Sequence, residues 1–140
     1  MKSFKFMLLA MFLMAFQCEE DILIREDDLA ETGILGKWEI SNESVNGISD
    51  LSVKCCRFFE FREDENEKDL NGNFTYTEFD MLFEGTFTMN PSAQQIIFEQ
   101  ADRETLVYNY AINSSKDFLT FTYSDGDSDF EEGWIKRDMP

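Results

Sequence analysis

The side chains able to do chemistry in this 140-residue chain are 29 carboxylates and three cysteines, and histidine is missing altogether. Without an imidazole, Ser-His-Asp and Cys-His nucleophiles, His-ligated zinc and imidazole proton shuttles are excluded. Paired carboxylates can still cleave glycosides. No spacing singles out such a pair, and the chain has neither a nucleophile elbow nor a glycine-rich phosphate loop. The expectation is a protein that is not an enzyme and uses no cofactor.

Cys55-Cys56 is the most unusual pair. Adjacent side chains of an extended strand point to opposite faces, so the two do not chelate one metal, and a bond between them closes a strained ring. They are expected to be free, largely buried thiols acting as small apolar side chains. A vicinal disulfide, an intermolecular bridge and metal or redox function are the alternatives. Asp125-Gly126-Asp127-Ser128-Asp129, with Glu131 and Glu132 behind it, has the oxygen density of a calcium loop. Phe130 stands where an EF-hand needs its turn glycine, and no ligand closes the loop, so a solvated hairpin turn without metal is expected.

Aromatic residues carry a second kind of chemistry, recognition without reaction. Phe83, Phe87, Tyr108, Tyr110, Phe121 and Tyr123, joined by Phe59 and Phe61, fall on the same side of alternating segments. Such a stripe either fills a core or lines a pocket. Buried phenols need hydrogen-bond partners, and a cup with several hydroxyls suits a small hydrophobic or amphipathic ligand.

The elements that must position these residues begin after a leader. Lys2 and Lys5 precede an uninterrupted apolar run from Phe6 to Phe16. The run is shorter than the ~20 residues of a membrane-spanning helix, and acidic sequence comes directly after it, so residues 1–17 read as an export signal. Cys18 at its end resembles the lipobox cysteine of bacterial lipoproteins, which becomes a lipidated N-terminus. Glu19-Glu20-Asp21 resembles the acidic tag that directs some lipoproteins to the outer-membrane surface. The resemblance implies a bacterial outer-membrane protein, lipid-anchored at Cys18 and surface-exposed. The alternative is cleavage after Ala15 and a periplasmic or secreted protein. Residues 18–32 are read as an acidic linker kept extended by charge repulsion, with a short helix around residues 27–32 as the alternative. The net charge of −17 argues against a nucleic-acid partner, since a polyanion is held by phosphate neutralisation.

From Gly33 to residue 138, apolar runs of five to eight residues are broken by Gly, Asn, Asp and Ser clusters. That pattern predicts strands over 34–40, 56–62, 73–79, 82–89, 94–100, 105–112, 117–123 and 129–137. Residues 41–54 are less regular, with a helical turn expected near 48–51. Asn71-Gly72 is read as a turn because both residues tolerate positive φ. Eight strands joined by short hairpins make an all-β, antiparallel up-and-down meander, which loses its edges by closing into a barrel.

Gly36-Lys37-Trp38 at the start of the first strand, with Trp134-Ile135-Lys136-Arg137 ending the last, resembles the lipocalins, and in particular small bacterial lipocalin-like lipoproteins. The resemblance implies that Trp38 plugs the closed barrel end, that Gly36 lets the chain bend there, and that Arg137 or Lys136 lies over the indole. Two functions are compatible with the whole reading. One is a membrane-anchored barrel that binds a small hydrophobic or amphipathic molecule. The other is a solid-core barrel serving as a structural or interaction module for an envelope protein partner.

Overall fold

The computed structural model describes residues 28–52 and 55–137. The expected export signal, Cys18 and most of the acidic linker lie outside the described residues. Within them the chain is all-β apart from one short helix, α1 (Leu29–Thr32). The strands are β1 (Gly36–Val45), β2 (Ile48–Asp50), β3 (Arg57–Glu63), β4 (Asn71–Glu78), β5 (Met81–Asn90), β6 (Gln95–Glu99), β7 (Leu106–Ile112), β8 (Phe118–Asp125) and β9 (Ser128–Arg137). Each pairs antiparallel with its neighbour in the order β1-β3-β4-β5-β6-β7-β8-β9, and β9 pairs back onto β1. The result is the expected closed, eight-stranded up-and-down barrel, with β2 as an extra strand on the far half of β1.

Three local expectations are corrected. Residues 41–45 continue β1, and residues 48–50 form β2 in place of a helical turn. The cause is Asn46-Gly47, which turns the chain with φ of 51° and 75°. Positive φ at both central residues is the twist-matched geometry of a tight hairpin. The other Asn-Gly pair, Asn71-Gly72, lies inside β4. Gly72 is needed there for space, because a Cβ would stand 2.6 Å from the Phe87 ring. At the end of the expected linker the alternative reading holds, a short helix. Asp28 caps α1 by accepting from the Glu31 amide at 2.9 Å, and Leu29 is buried against the barrel.

Alternation puts one side of every strand into the barrel. Trp38, Phe61, Phe87, Ile96, Leu119, Phe121 and Trp134 are fully buried, so the interior is filled through most of its length. The end carrying α1 is closed. Trp38 is 0% exposed, and its indole Nε1 donates to the Ile34 carbonyl at 2.7 Å. Lys136 covers the ring, its Nζ 5.1 Å from the centroid, and donates to the Gly33 carbonyl at 3.0 Å. Desolvation, with Lys116 nearby, lowers the pKa of this ammonium. Arg137 points the other way and pairs with Glu39 on the outer wall. Lys136, not Arg137, is therefore the cation on the indole, because even positions of β9 face inward. Gly36 has φ of +115°, which supplies the bend expected at the start of β1.

Candidate functional site

The opposite end of the barrel is built around a buried ion pair. In β1 the register against β9 shifts between Ile40 and Asn42. This bulge adds one residue and reverses the parity of the rest of the strand, so Glu43 turns inward where strict alternation would have turned it out. Arg57, the first residue of β3, lies beside it. Its Nη1 donates to Glu43 Oε2 at 2.6 Å, Nη2 to Glu132 Oε1 at 2.5 Å, and Nε to the Tyr76 hydroxyl at 2.9 Å. Glu78 is 3.6 Å from Nε. Glu132 is 2% exposed and also accepts from the Tyr123 hydroxyl at 3.0 Å and from Trp134 Nε1 at 3.2 Å. Among the described residues no buried side-chain nitrogen or oxygen lacks a hydrogen-bond partner.

Arg57, Glu78 and Glu132 form one side of a cup of about 240 Å³ open to solvent. Its walls include Phe59, Tyr76, Phe83, Phe98, Tyr108 and Tyr123. Tyr108 and Tyr123 stack with centroids 4.1 Å apart, Tyr76 lies on Phe83 at 5.9 Å, and Arg103 reaches over Phe83 at 4.7 Å. These contacts hold the rings as flat, pre-formed walls. A larger depression of about 550 Å³ crosses the outside of β3–β6, where Glu60, Arg62, Glu84 and Glu99 face water. It has the open, charged character of an exterior surface, so the cup is the better binding site.

Burial and the Glu132 charge shape the electrostatics of the cup. Burial works against the charged Arg57 guanidinium, but Glu132, Glu43 and Tyr76 outweigh it and raise its pKa. Burial, then Glu132, pushes the Tyr108 phenol up to about 12, and the same two causes raise Tyr123. Burial also raises Tyr76. The folded state thus prefers neutral phenols. Their contribution to stability is complete below the unfolded value of ~10 and is lost as pH rises through the folded value. Phenolate absorbance of these tyrosines is expected to appear between pH ~10 and ~12 together with loss of β-sheet circular dichroism. Ionisation centred near pH ~10 with the sheet signal intact would place the phenols in water.

The structure divides the aromatic stripe. Phe83, Tyr108 and Tyr123 line the cup, with Phe59 beneath them. Phe61, Phe87 and Phe121 belong to the filled core, and Tyr110 packs against that core below the cup. The sequence reading missed the ion pair of Glu43, Arg57 and Glu132, having named Glu132 only behind the β8–β9 turn. Arg57 and Glu132 are 75 positions apart, and only the register of closed strands brings them together. A signal was present in the alternation of β9, which puts Glu132 on the face of Phe130 and Trp134.

The other sequence candidates have clear positions. Cys55 and Cys56 are free but exposed, not buried, because they precede β3 at the rim instead of lying in it. Gly126 and Asp127 make the β8–β9 turn, and Asp129 accepts from Ser124 Oγ at 2.6 Å. Among the described residues no cluster of three metal-ligating side chains occurs. Comparison with protein-family models, with curated proteins and with solved structures found no match for this chain.

Proposed function

We propose that this barrel is a non-catalytic binding module whose open cup takes the apolar part of a small hydrophobic or amphipathic molecule. The observation that carries the reading is the cup itself, with stacked aromatic walls beside a fully hydrogen-bonded ion pair. Its volume of about 240 Å³ lies just below the ~300 Å³ at which drug-sized pockets begin, so it suits one ring or a short chain, with the polar remainder outside. Native mass spectrometry of the protein purified from its own host should find a co-purifying small molecule. Phe83→Ala should weaken its retention roughly tenfold, the equivalent of ~1.4 kcal/mol for one aromatic wall. Protein that carries nothing, and whose tyrosine emission is unmoved by a panel of amphipathic compounds, would overturn this reading.

A second reading is favoured by one observation. Ile48, Leu51, Phe79, Met81 and Leu82 are all more than half exposed, on two segments at the open end, β2 and the β4–β5 turn. An apolar surface of this kind suits an envelope protein partner, with the filled lower barrel as a rigid support. We further propose that the chain is a lipocalin-like lipoprotein tethered to the bacterial outer membrane through lipid on Cys18, on the support of the leader and acidic tag. Cys18→Ala should then move the protein from the membrane to the soluble fraction, whereas retention in the membrane would refute the anchor.

A further inference from the structure

We propose that Cys55 and Cys56 are a vicinal redox pair at the barrel mouth, which closes to an intramolecular disulfide by exchange with a low-molecular-weight disulfide. The geometry departs from that of a strand. Cys56 has φ of +67°, a left-handed conformation that non-glycine residues adopt at a cost. That twist removes the opposite-face arrangement and brings the two sulfurs together, with Cys56 Sγ 2.8 Å from Cys55 Sγ. Both residues are exposed, so a soluble disulfide can reach them. The conformation is held from outside the pair. The Cys56 carbonyl accepts from the Phe79 amide at 2.8 Å, and Arg57, the next residue, is fixed by its carboxylates.

The contact between the sulfurs lets the two thiols react in turn. In the proposed order Cys55 reacts first, and Cys56 Sγ, 2.8 Å away, resolves the intermediate. The Cys55 thiolate attacks one sulfur of the reagent, forms a mixed disulfide and expels one reagent thiolate. Cys56 then loses its proton, attacks Cys55 Sγ and expels the second. Two protein thiols are oxidised by two electrons, the reagent disulfide is reduced to two thiols, and the two protons end on those thiols. A ring closed between adjacent residues is strained, and strained, exposed disulfides are the readily reduced ones, so the step is reversible.

The full chain should be incubated with oxidised glutathione, blocked with iodoacetamide and digested with trypsin. Cleavage after Lys54 and Arg57 releases Cys55-Cys56-Arg57, in which a disulfide can only join the two neighbours. This tripeptide should be recovered without its two thiol hydrogens, unalkylated, from monomeric protein, and dithiothreitol should restore alkylation. In Cys56→Ser the reaction should stop at one glutathione on Cys55, the trapped first intermediate. Stable glutathione adducts on both sulfurs, a disulfide-linked dimer through either residue, or full alkylation of the wild-type tripeptide would each overturn the proposal. Because both side chains are exposed, Cys56→Ser is expected to fold, and its circular dichroism provides the check.

Discussion

Arg57→Ala is expected to destabilise the barrel by about 3 to 5 kcal/mol, read as a shift of the urea midpoint at unchanged slope. Exposed ion pairs are worth far less, ~0 to 1 kcal/mol, and burial makes the difference here. Glu132 is 2% exposed, and removing the guanidinium leaves its carboxylate with the Tyr123 hydroxyl and Trp134 Nε1 but with no opposite charge. Glu43 loses the guanidinium contact as well, and the two acids face one another across the β1–β9 pair. The double replacement Arg57→Met with Glu132→Gln keeps an acceptor for Tyr123 and Trp134 while discarding the charges of the most buried pair. It should recover roughly half of the loss or more, because the penalty comes chiefly from an orphaned charge and less from a missing attraction. A single-mutant loss under ~1 kcal/mol would show that water reaches the pair.

Trp38→Ala is expected to cost a comparable amount, about 3 to 5 kcal/mol, at the other end. The indole is 0% exposed, and its removal opens a cavity below Leu29 and Ile34 and leaves the Ile34 carbonyl without its donor. Lys136→Ala should cost less, about 0.5 to 2 kcal/mol, because it removes one cation–π contact and one hydrogen bond at a partly exposed site. Thermal or urea unfolding that leaves Trp38→Ala within ~0.5 kcal/mol of the parent would mean that the closed end is not a packed plug.

The strands were legible because each writes its own pattern. Phe83, Gly85, Phe87 and Met89 alternate with Glu84, Thr86 and Thr88, and this stretch is β5 with the same faces. Most boundaries moved by a residue or two, as strand ends depend on partners, and β1 ran five residues past its expected end. The features that escaped are those that a neighbour decides. Asn71-Gly72 and Asn46-Gly47 share a dipeptide, yet one lies within a ladder against Thr88 and Phe87 while the other turns a hairpin. Nothing within β1 announces the bulge that turns Glu43 inward. The cup was legible as aromatic rings but not as an ion pair. A charged residue in a strand is ordinarily assigned to the outer face, and its reversal becomes visible only once Arg57 and Glu132 are seen side by side. Cys55-Cys56 misled for a related reason, since the expected alternation belongs to strands and the pair sits at a left-handed corner just before one.

The chain passes from α1 into β1 at the closed end, while the cup opens at the other. Anything gripped at the mouth and anything holding the segment ahead of Asp28 therefore pull from opposite poles, along the strands. In that direction the ladders of β1 with β3 and β9 are loaded in shear. Their hydrogen bonds run across the strands and share the tension, whereas a strand peeled sideways surrenders them one at a time. The seam from Lys37–Arg137 to Val45–Phe130 is thus the mechanical weld of the molecule under a pull between its two ends.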